Sequence, residues 1–514
     1  MGEGFLISLS LREKLDPISI SLTPSSGYAV PMKNSSVLLG LTLLLVACTG
    51  FNSSASTVAN GAATPKAELE SITTRAQKLN RTLNFGNMLE APKEGDWGIS
   101  LEERFFQLAK EGGFSAIRLP IRWNTHAAAT APYTVNPVFF ARVDWAVKQA
   151  NSRGLNIIID FHHYDELMAQ PQQHRERFLA IWKQVAEHYK NASSNVFFEV
   201  LNEPHGALEP FWNDYQKQAI AVIRKSNPTR ALIVGPTGYN SAYKLSSLEL
   251  PDDNNLIVTF HNYDPFRFTH QGAEWVDGAA NWPKLEWTGT KLDLKARFQN
   301  WSWETKSSFA LTGGKQTVSL EYARPWAGFY LHVADTPLTE YDKLRFKAAG
   351  AGKLGFVCSD RQDNWSPPYV LEVKAGQDYS VPLSSCGNPS KLLSLVVMNA
   401  SDTAPALKIS LEDVRLEGSA GTLTLLQSER DAVASLLNVA QSWGKAKGRP
   451  VFMGEFGAYS KADYASRVRW TAAVREEAVK KGIAWGYWEF GAGFGVYDRT
   501  KNAWNADLLK ALIP

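Results

Sequence analysis

Eight short apolar runs, each bounded by turn-forming residues, constrain the fold of this 514-residue chain more than any other feature. Runs of this length that are rich in β-branched and aromatic residues are typical of strands buried on both faces. Helical patterns follow the runs, except where one long segment intervenes, and this alternation predicts an α/β fold, a (β/α)8 barrel of the TIM type. The predicted strands span 83–87, 116–120, 156–161, 196–201, 231–235, 256–260, 450–454 and 484–488.

Two sequence signals predict where helices of the barrel begin. Ser100-Leu-Glu-Glu103 has the spacing of a capping box and precedes an amphipathic run. Ser428-Glu-Arg-Asp431 precedes a second run whose apolar residues recur at helical spacing. Both serines are therefore expected at helix N-termini.

The segment 291–427 interrupts the alternation of strands and helices. Its short alternating runs, separated by turns rich in Gly, Pro, Asp and Asn, predict an all-β sandwich. It resembles jelly-roll carbohydrate-binding modules, and it is inserted after the sixth strand of a barrel that spans 67–290 and 428–514. Because it departs from the loop after that strand, we expect it to emerge on the catalytic face of the barrel. Aromatic residues that are candidate sugar platforms in this insert are Trp301, Trp303, Trp326, Tyr330 and Trp365.

Residues 1–47 have the features of an export signal with an N-terminal extension. After Met32 and Lys33 the chain has an apolar stretch at 37–47, too short to span a bilayer comfortably, and then Cys48. Leu45-Val-Ala-Cys48 resembles the bacterial lipobox, which implies cleavage before Cys48 and acylation of its thiol. Residues 48–66 then form a flexible tether. The predicted location is the outer membrane of a Gram-negative cell, and the alternatives are an ordinary signal peptide with secretion or a single membrane anchor.

The remaining cysteines and the charge narrow the class of protein further. With Cys48 assigned to lipid, Cys358 and Cys386 form an even pair within the insert, a candidate disulfide in an oxidising compartment. The net charge is +3 and the basic residues are dispersed, so we expect no nucleic-acid partner. We expect a monomer that requires no cofactor.

Two of the predicted strands end in a carboxylate. They are Asn195-Val-Phe-Phe-Glu-Val-Leu-Asn-Glu-Pro204, which leads to Glu203, and Pro450-Val-Phe-Met-Gly-Glu-Phe-Gly457, which leads to Glu455. Glycoside cleavage uses two carboxyl groups, one that protonates the departing oxygen and one that attacks the anomeric carbon or activates water. A pair of glutamates at the ends of parallel strands therefore indicates this chemistry.

Seven motifs occur in the order found in glycoside hydrolase family 5, which this chain resembles over about 67–290 and 428–514. They are Leu83-Asn-Phe-Gly-Asn-Met-Leu-Glu90, Ile117-Arg-Leu-Pro120, Asp160-Phe-His-His163, Leu201-Asn-Glu-Pro204, His261-Asn-Tyr263, Gly454-Glu-Phe-Gly457 and Trp488-Glu-Phe490. Two further phrases, Phe268-Thr-His-Gln-Gly-Ala-Glu-Trp275 and Gly493-Phe-Gly-Val-Tyr-Asp498, resemble the endo-β-1,4-glucanase branch, which includes members that cleave β-mannan.

The resemblance implies a role for each matching residue. Glu203 is the general acid and base, with a raised pKa, and Glu455 is the ionised nucleophile. Arg118 is the buried cation beside the nucleophile, and Asn202 binds the hydroxyl next to the reacting carbon. His261 and Tyr263 support catalysis. Substrate-binding positions are Asn87, Glu90, His162, His163, His270, Trp275 and Trp488.

The residues leave other functions open. A metal site at His162, His163 and His261 is disfavoured because successive strand residues point to opposite faces. The leading hypothesis is a retaining endo-β-1,4-glucanase that acts on cellulose-type or mixed-linkage β-glucans. The alternatives are an endo-β-1,4-mannanase or xyloglucanase of the same family and a non-catalytic, lipid-anchored glycan-binding protein.

Overall fold

Eight parallel strands close into a barrel in their order along the chain, as the sequence predicts. The computed structural model describes residues 70–514 apart from 296, 313, 334–337, 360–366, 387–391 and 403–405. The export signal, Cys48, the tether and Trp365 lie outside the described residues, so their predicted roles stay predictions. The barrel strands are Thr82–Asn84, Ala116–Ile121, Asn156–Phe161, Val196–Glu199, Leu232–Val234, Leu256–Asn262, Val451–Phe456 and Ala484–Tyr487.

Helices surround the barrel at seven of its eight positions within the described residues. After the fifth strand the chain forms only a short turn and the 3₁₀ segment Ala242–Ser247, so the predicted strict alternation is wrong there. A short helix, Ile72–Gln77, precedes the first strand. The main barrel helices are Glu103–Glu111, Pro137–Ser152, Pro171–His188, Trp212–Arg224, Glu429–Lys447, Tyr464–Lys480 and Ala506–Leu512.

The two predicted helix starts differ in outcome. Ser428 forms the expected capping box, because its hydroxyl accepts from the Asp431 N–H at 3.1 Å and the Asp431 carboxylate accepts from the Ser428 N–H at 3.3 Å. The box predicted at Ser100 is wrong, since that helix begins at Glu103 without a side-chain cap. A tertiary contact directs the chain instead, because the Leu101 N–H donates to Glu94 at 2.7 Å.

The barrel interior is layered by the two-residue period of its strands. The layer nearer the N-terminal ends of the strands is apolar and includes Ile158 and Phe197. These residues belong to a buried cluster with members from most of the barrel strands. Two residues further along the same strands, the same face carries Asp160 and Glu199, both fully buried. These two strands therefore deliver polar side chains to the C-terminal end of the barrel, where such folds place their active sites.

The insert folds as the predicted β-sandwich with its own hydrophobic core. Cys358 and Cys386 form the predicted disulfide within it. The two sheets share a buried interior because inward and outward residues alternate along the strands. One sheet contains Thr305–Thr312, Lys315–Tyr322, Tyr341–Ala348, Asp378–Pro382, Leu407–Gly418 and Gly421–Thr424, and the other contains Phe298–Asn300, Gly328–Val333, Gly352–Ser359, Tyr369–Val373 and Ser394–Asn399.

A short antiparallel ladder joins the insert to the barrel. Leu292–Leu294 pairs with Leu426–Ser428, so the chain leaves and returns side by side between the sixth barrel strand and the helix Glu429–Lys447. The Glu429 side chain accepts from the backbone of Thr288 and Gly289 at 3.0 and 2.8 Å, which fixes the junction. Residues Glu68–Pro514 form one compact unit. Every helix in the described part of the chain is too short or too polar to cross a membrane.

Candidate active site

Arg118, on the second strand, organises the polar end of the barrel from a fully buried position. Its guanidinium makes two hydrogen bonds to Glu199, at 2.7 and 2.8 Å, and one to Glu455 at 2.6 Å. It also donates to Asn84 at 3.0 Å and to Asn202 at 2.8 Å. Burial opposes the charge, but the surrounding carboxylates outweigh it and raise the pKa of Arg118 well above its usual value. Arg118 is therefore a permanent cation beside Glu455, as predicted.

Glu455 is held in the ionised form by its neighbours. Arg118 donates a hydrogen bond to Glu455 Oε1, and the Tyr263 hydroxyl donates one to Oε2 at 2.8 Å. Burial alone acts to raise the pKa, but His261, Arg118, His162 and the Tyr263 hydrogen bond outweigh it and lower the pKa of Glu455 to about 2. A carboxylate that is ionised and fixed at both oxygens has the state that a nucleophile requires.

Glu203 is more accessible than Glu455 and has a strained backbone. Its side chain is 26% exposed against 5% for Glu455, and its φ of 48° lies in the left-handed region. Strain of this kind persists where surrounding contacts impose it, often at functional sites. His261 Nδ1 lies 2.7 Å from Glu203 Oε1 and 3.6 Å from Glu455 Oε2, so one imidazole contacts both carboxylates. These carboxylates raise the pKa of His261 despite its burial.

The separation of the two carboxylates is short. Glu203, His261 and Glu455 each offer a ligand atom, and these atoms lie within 4.8 Å of one another. Among the residues that the structure describes, this is the group able to hold a metal ion. However, the oxygens of Glu455 already accept from Arg118 and Tyr263, and a guanidinium at 2.6 Å disfavours a second cation.

Trp488 follows the eighth strand and lies flat against His162, with ring centroids 5.3 Å apart and planes 5° apart. Gly86 permits this position, because a Cβ there would meet the indole at 2.9 Å. His162 Nδ1 lies 2.5 Å from Asp160, and burial lowers the pKa of His162 to about 3, so the ring is neutral. The partly buried Trp488 is thus held rigidly, as a platform for a sugar requires.

His163 lies edge-on to His162, with ring centroids 4.6 Å apart. The third strand ends at Phe161, so the argument that these two rings alternate between strand faces is wrong. Burial lowers the pKa of His163 to about 3 as well. Both histidines are therefore neutral groups at the barrel end, suited to hydrogen bonding with hydroxyls.

Asn87 and Glu90 form the loop after the first strand. Asn87 has a left-handed φ of 66°, and its N–H donates to Glu90, which also accepts from the Met88 N–H at 2.9 Å. Glu90 is 1% exposed, and burial raises its pKa to about 8. The visible role of Glu90 is to hold this loop, and its contact with a sugar stays a prediction.

The sixth loop brings its predicted residues into one aromatic cluster. His270 stacks on Phe266 with centroids 4.1 Å apart and lies edge-on to Tyr263 at 5.0 Å. Trp275 is 59% exposed and lies edge-on to Tyr459 at 4.8 Å. Because Tyr263 contacts Glu455, this cluster lies beside the carboxylate pair.

Sequence reasoning missed three residues that hold Arg118. Glu199 and Asp160 had a usable signal, since each is a charge within an otherwise apolar run. Such a residue is costly to bury unless it is paired, and both lie within 3.0 Å of Arg118. Asn84 had no comparable signal, because a single amide side chain in a strand does not by itself indicate a buried charged partner.

Comparisons with known proteins agree with this geometry. Residues 79–324 match the model of cellulase (glycosyl hydrolase family 5). The chain is 32% identical to Thermotoga maritima Cel5A, crystallised in complex with a mannotriose substrate, and the superposition covers 86% of this chain and 100% of that one with a TM-score of 0.58. The chain belongs to glycosyl hydrolase family 5. Its barrel supplies the family fold, and the sandwich is an addition to that barrel.

Two curated relatives match shorter regions of this family 5 chain. Endoglucanase H of Acetivibrio thermocellus is 42% identical over 196 residues, which cover 38% of this chain and 22% of that protein. Endoglucanase 1 of Ruminococcus albus is 30% identical over 220 residues, which cover 37% of this chain and 53% of that protein. The matched regions thus span about half the length of these relatives or less.

Proposed function

We propose that this family 5 member is a retaining endo-β-1,4-glucanase that cleaves internal bonds of cellulose-type or mixed-linkage β-glucans. The observation that carries the proposal is the approach of Glu203 and Glu455, since one carboxylate oxygen of each lies within 4.8 Å of the other. Retaining glycosidases have carboxyl groups about 5–5.5 Å apart, whereas inverting enzymes need about 6.5–9.5 Å to admit a water molecule. The short separation favours direct attack by a carboxylate.

In the first step Glu455 attacks the anomeric carbon. Its pKa of about 2 keeps it ionised at neutral pH. A bond forms between a Glu455 oxygen and the anomeric carbon, the glycosidic C–O bond breaks, and Glu203 gives its proton to the departing oxygen. The Tyr263 hydroxyl, whose pKa burial and Glu455 raise well above its usual value, stays protonated and positions the attacking carboxylate.

In the second step a water molecule attacks the same carbon. Glu203, now a carboxylate, takes a proton from the water, and the bond to Glu455 breaks. His261 contacts both carboxylates and can stabilise the charge that moves between them. Two inversions at one carbon return the original anomeric configuration.

The decisive experiment is chemical rescue of Glu455→Ala. With an activated β-cellobioside and azide, this variant is expected to form the glycosyl azide of inverted configuration, while Glu203→Ala forms the azide of retained configuration. The products are identified by NMR. An inverted anomeric configuration in the hydrolysis product of the unaltered protein would contradict the mechanism.

A β-mannan is the second candidate substrate. Thermotoga maritima Cel5A is described in complex with mannotriose and also with cellobiose. The carboxylate pair does not determine which of these sugars is bound, because loop residues contact the hydroxyls by which the sugars differ. A reducing-sugar assay on carboxymethylcellulose, lichenan, xyloglucan and glucomannan tests these alternatives, and no activity on any of them would favour a non-catalytic glycan-binding protein.

We also propose that the insert binds glycan through one sheet. Trp301 and Trp326 are 40% and 44% exposed. Trp301 stacks on His332 with centroids 4.1 Å apart, and Trp303 lies edge-on to Tyr330 at 6.3 Å. Exposed aromatic rings that are braced from behind suit the apolar faces of sugars. Loss of retention on a β-glucan gel after Trp301→Ala and Trp326→Ala would support this role, and unchanged retention would contradict it.

Export and lipid anchoring at Cys48 complete the proposal. The basic start, apolar stretch and lipobox-like Leu45-Val-Ala-Cys48 support it. The protein is then a monomeric enzyme tethered at the outer membrane. Detergent partitioning tests this, since Cys48→Ala should move activity to the aqueous phase, and an aqueous partition of the protein with Cys48 intact would contradict it.

A further inference from the structure

Glu489, the residue after Trp488, is a fully buried carboxyl group that has no part in the two reaction steps. It follows the eighth barrel strand, at the end of the barrel that carries the site. A carboxyl group withdrawn from water is costly unless hydrogen bonds satisfy it. The partners of Glu489 therefore indicate what its burial achieves.

Glu489 accepts hydrogen bonds from the backbone of the loop that follows it. Its Oε2 accepts from the Gly491 N–H at 2.9 Å, and its Oε1 accepts from the N–H groups of Ala492 and Phe494 at 2.7 and 3.2 Å. The carbonyl of Phe494 is held as well, because the Tyr487 hydroxyl donates to it at 2.9 Å. One buried side chain thus fixes the path of a short loop up to Phe494.

The Phe494 side chain connects this loop to the carboxylate pair. Its ring is 4% exposed and lies edge-on to Tyr263 and His270, with ring centroids 6.0 and 5.5 Å apart. The Tyr263 hydroxyl donates to Glu455 Oε2 at 2.8 Å. Phe494 is therefore packed against the ring that holds the proposed nucleophile.

The chain that carries Glu455 leaves room for this loop. A Cβ at Gly457 would meet the Trp488 carbonyl oxygen at 2.1 Å and the Phe494 ring at 3.2 Å. Glycine therefore allows the loop to lie directly against the chain that follows Glu455. Because protein interiors are dense and have few voids, a shift of Phe494 is transmitted to the rings that it contacts.

We propose that Glu489 is a positioning residue for the nucleophile, because it fixes Phe494, whose ring holds Tyr263 against Glu455. The inference rests on the proposed retaining mechanism, in which Glu455 attacks the anomeric carbon. It adds a residue that acts on this attack from a fully buried position. The path runs from the Glu489 carboxyl group to the Phe494 N–H and ring, and from that ring to Tyr263.

Glu489→Gln tests the first link of this path. The amide keeps the shape of the side chain but replaces one acceptor oxygen by an NH2 group, which then faces an N–H donor of the loop. A loosened Phe494 weakens the hydrogen bond from Tyr263 to the nucleophile. We expect kcat/KM for 4-nitrophenyl β-cellobioside to fall by about tenfold, as for a weakened hydrogen bond to a charged group.

A count of active sites separates positioning from folding. The reagent 2,4-dinitrophenyl 2-deoxy-2-fluoro-β-cellobioside reacts once with each active molecule. A bond forms between Glu455 and the anomeric carbon, the bond to the aryl oxygen breaks, and the released dinitrophenolate is counted by its absorbance. A merely structural role for Glu489 would lower this count and leave kcat/KM per active site unchanged, which would overturn the inference.

Tyr263→Phe tests the second link of the path. When two residues act through the same hydrogen bond, the effects of changing them do not multiply. Tyr263→Phe is therefore expected to lower kcat/KM per active site by about tenfold in the unaltered enzyme and by less than about twofold in the Glu489→Gln background. Effects that multiply would overturn the inference, because Glu489 would then act by another route.

Phe494→Leu removes the ring without altering the buried carboxyl group, so it remains informative if Glu489→Gln does not fold. It should show the same loss per active site and the same lack of multiplication with Tyr263→Phe, and an unchanged rate per site would overturn the inference. Glu94→Gln is the matched control, since Glu94 also holds a loop, by accepting from the Leu101 N–H at 2.7 Å. Its rate per site should not change, and a fall equal to that of Glu489→Gln would count against the path.

Failure of the mechanism gives a different result from failure of this inference. Absence of a trapped intermediate in the unaltered enzyme would reject the retaining mechanism, and the inference with it. A trapped intermediate in the unaltered enzyme, together with equal rates per active site in that enzyme and in Glu489→Gln, would reject the inference alone.

Discussion

Arg118 Nη1 lies 2.6 Å from Glu455 Oε1, in a fully buried position between strands that are distant in sequence. The same guanidinium is held on another edge by Glu199 through two hydrogen bonds. The cation beside the proposed nucleophile is therefore fixed before any substrate arrives. Preorganised charge of this kind needs no rearrangement during the reaction.

Tyr263→Phe is expected to move the acidic limb of the pH profile of kcat/KM upward by about one unit, because a hydrogen bond to the charged carboxylate is lost. Burial raises the pKa of Glu455, and the Tyr263 hydroxyl is among the groups that outweigh burial and lower the pKa to about 2. A nucleophile with a lowered pKa loses activity as the pH falls through that pKa, so a higher pKa moves the loss to higher pH. Tyr497→Phe, which removes a hydroxyl bonded to Asn502, is the control and should leave the limb in place. A downward shift would contradict the assignment.

Glu199→Gln is expected to lower the free energy of unfolding by about 3 kcal/mol, the lower end of the cost of removing one partner of a buried ion pair. The lower end applies because Arg118 retains its ion pairs with Asp160 and Glu455. The control is Glu187→Gln, which breaks the exposed pair with Lys190 and should cost about 0–1 kcal/mol. Urea denaturation measures both. Equal costs would mean that the buried network does not stabilise the fold.

Removal of the insert by joining Thr290 to Ser428 should keep hydrolysis of short oligosaccharides and weaken binding to polysaccharide. The ladder between Leu292–Leu294 and Leu426–Ser428 brings these ends together, so the junction needs only a short linker. One lost aromatic platform changes affinity by about tenfold, and the effect grows with polymer length. Equal loss on short and long substrates would instead mean that the insert supports the site, and no loss on either would remove its binding role.

Chelation of divalent metals is expected to leave hydrolysis unchanged. Glu203, His261 and Glu455 are close enough to hold an ion, but their ligand atoms already bond to one another, to Arg118 or to Tyr263. The assay compares kcat before and after dialysis against EDTA. A loss that is restored by one divalent cation, and not by others, would instead assign a metal to this group.

Local sequence patterns were sufficient to predict the strands of the barrel. Most of them are largely apolar runs, and the run from Asn156 to Phe161 matches the strand residue for residue. Glu203 and Glu455 were predictable for the same reason, since strand ends in a parallel barrel meet at one face. The absence of a regular helix after the fifth strand was not predictable from local pattern. Nor was the failure of the capping box at Ser100, where Leu101 donates to Glu94 instead.

The sequence by itself determined the order of the strands and the two carboxylates at their ends, because strand periodicity and burial are properties of short stretches of chain. Only the tertiary structure decided which groups surround those carboxylates. Arg118 bonds to Glu455, which is 337 positions away along the chain, and to Glu199, which is 81 positions away. Tyr239, which follows the fifth strand, stacks on His205, which follows the fourth. No local pattern encodes such pairings, since they exist only when the barrel closes and brings strand ends to within hydrogen-bonding distance.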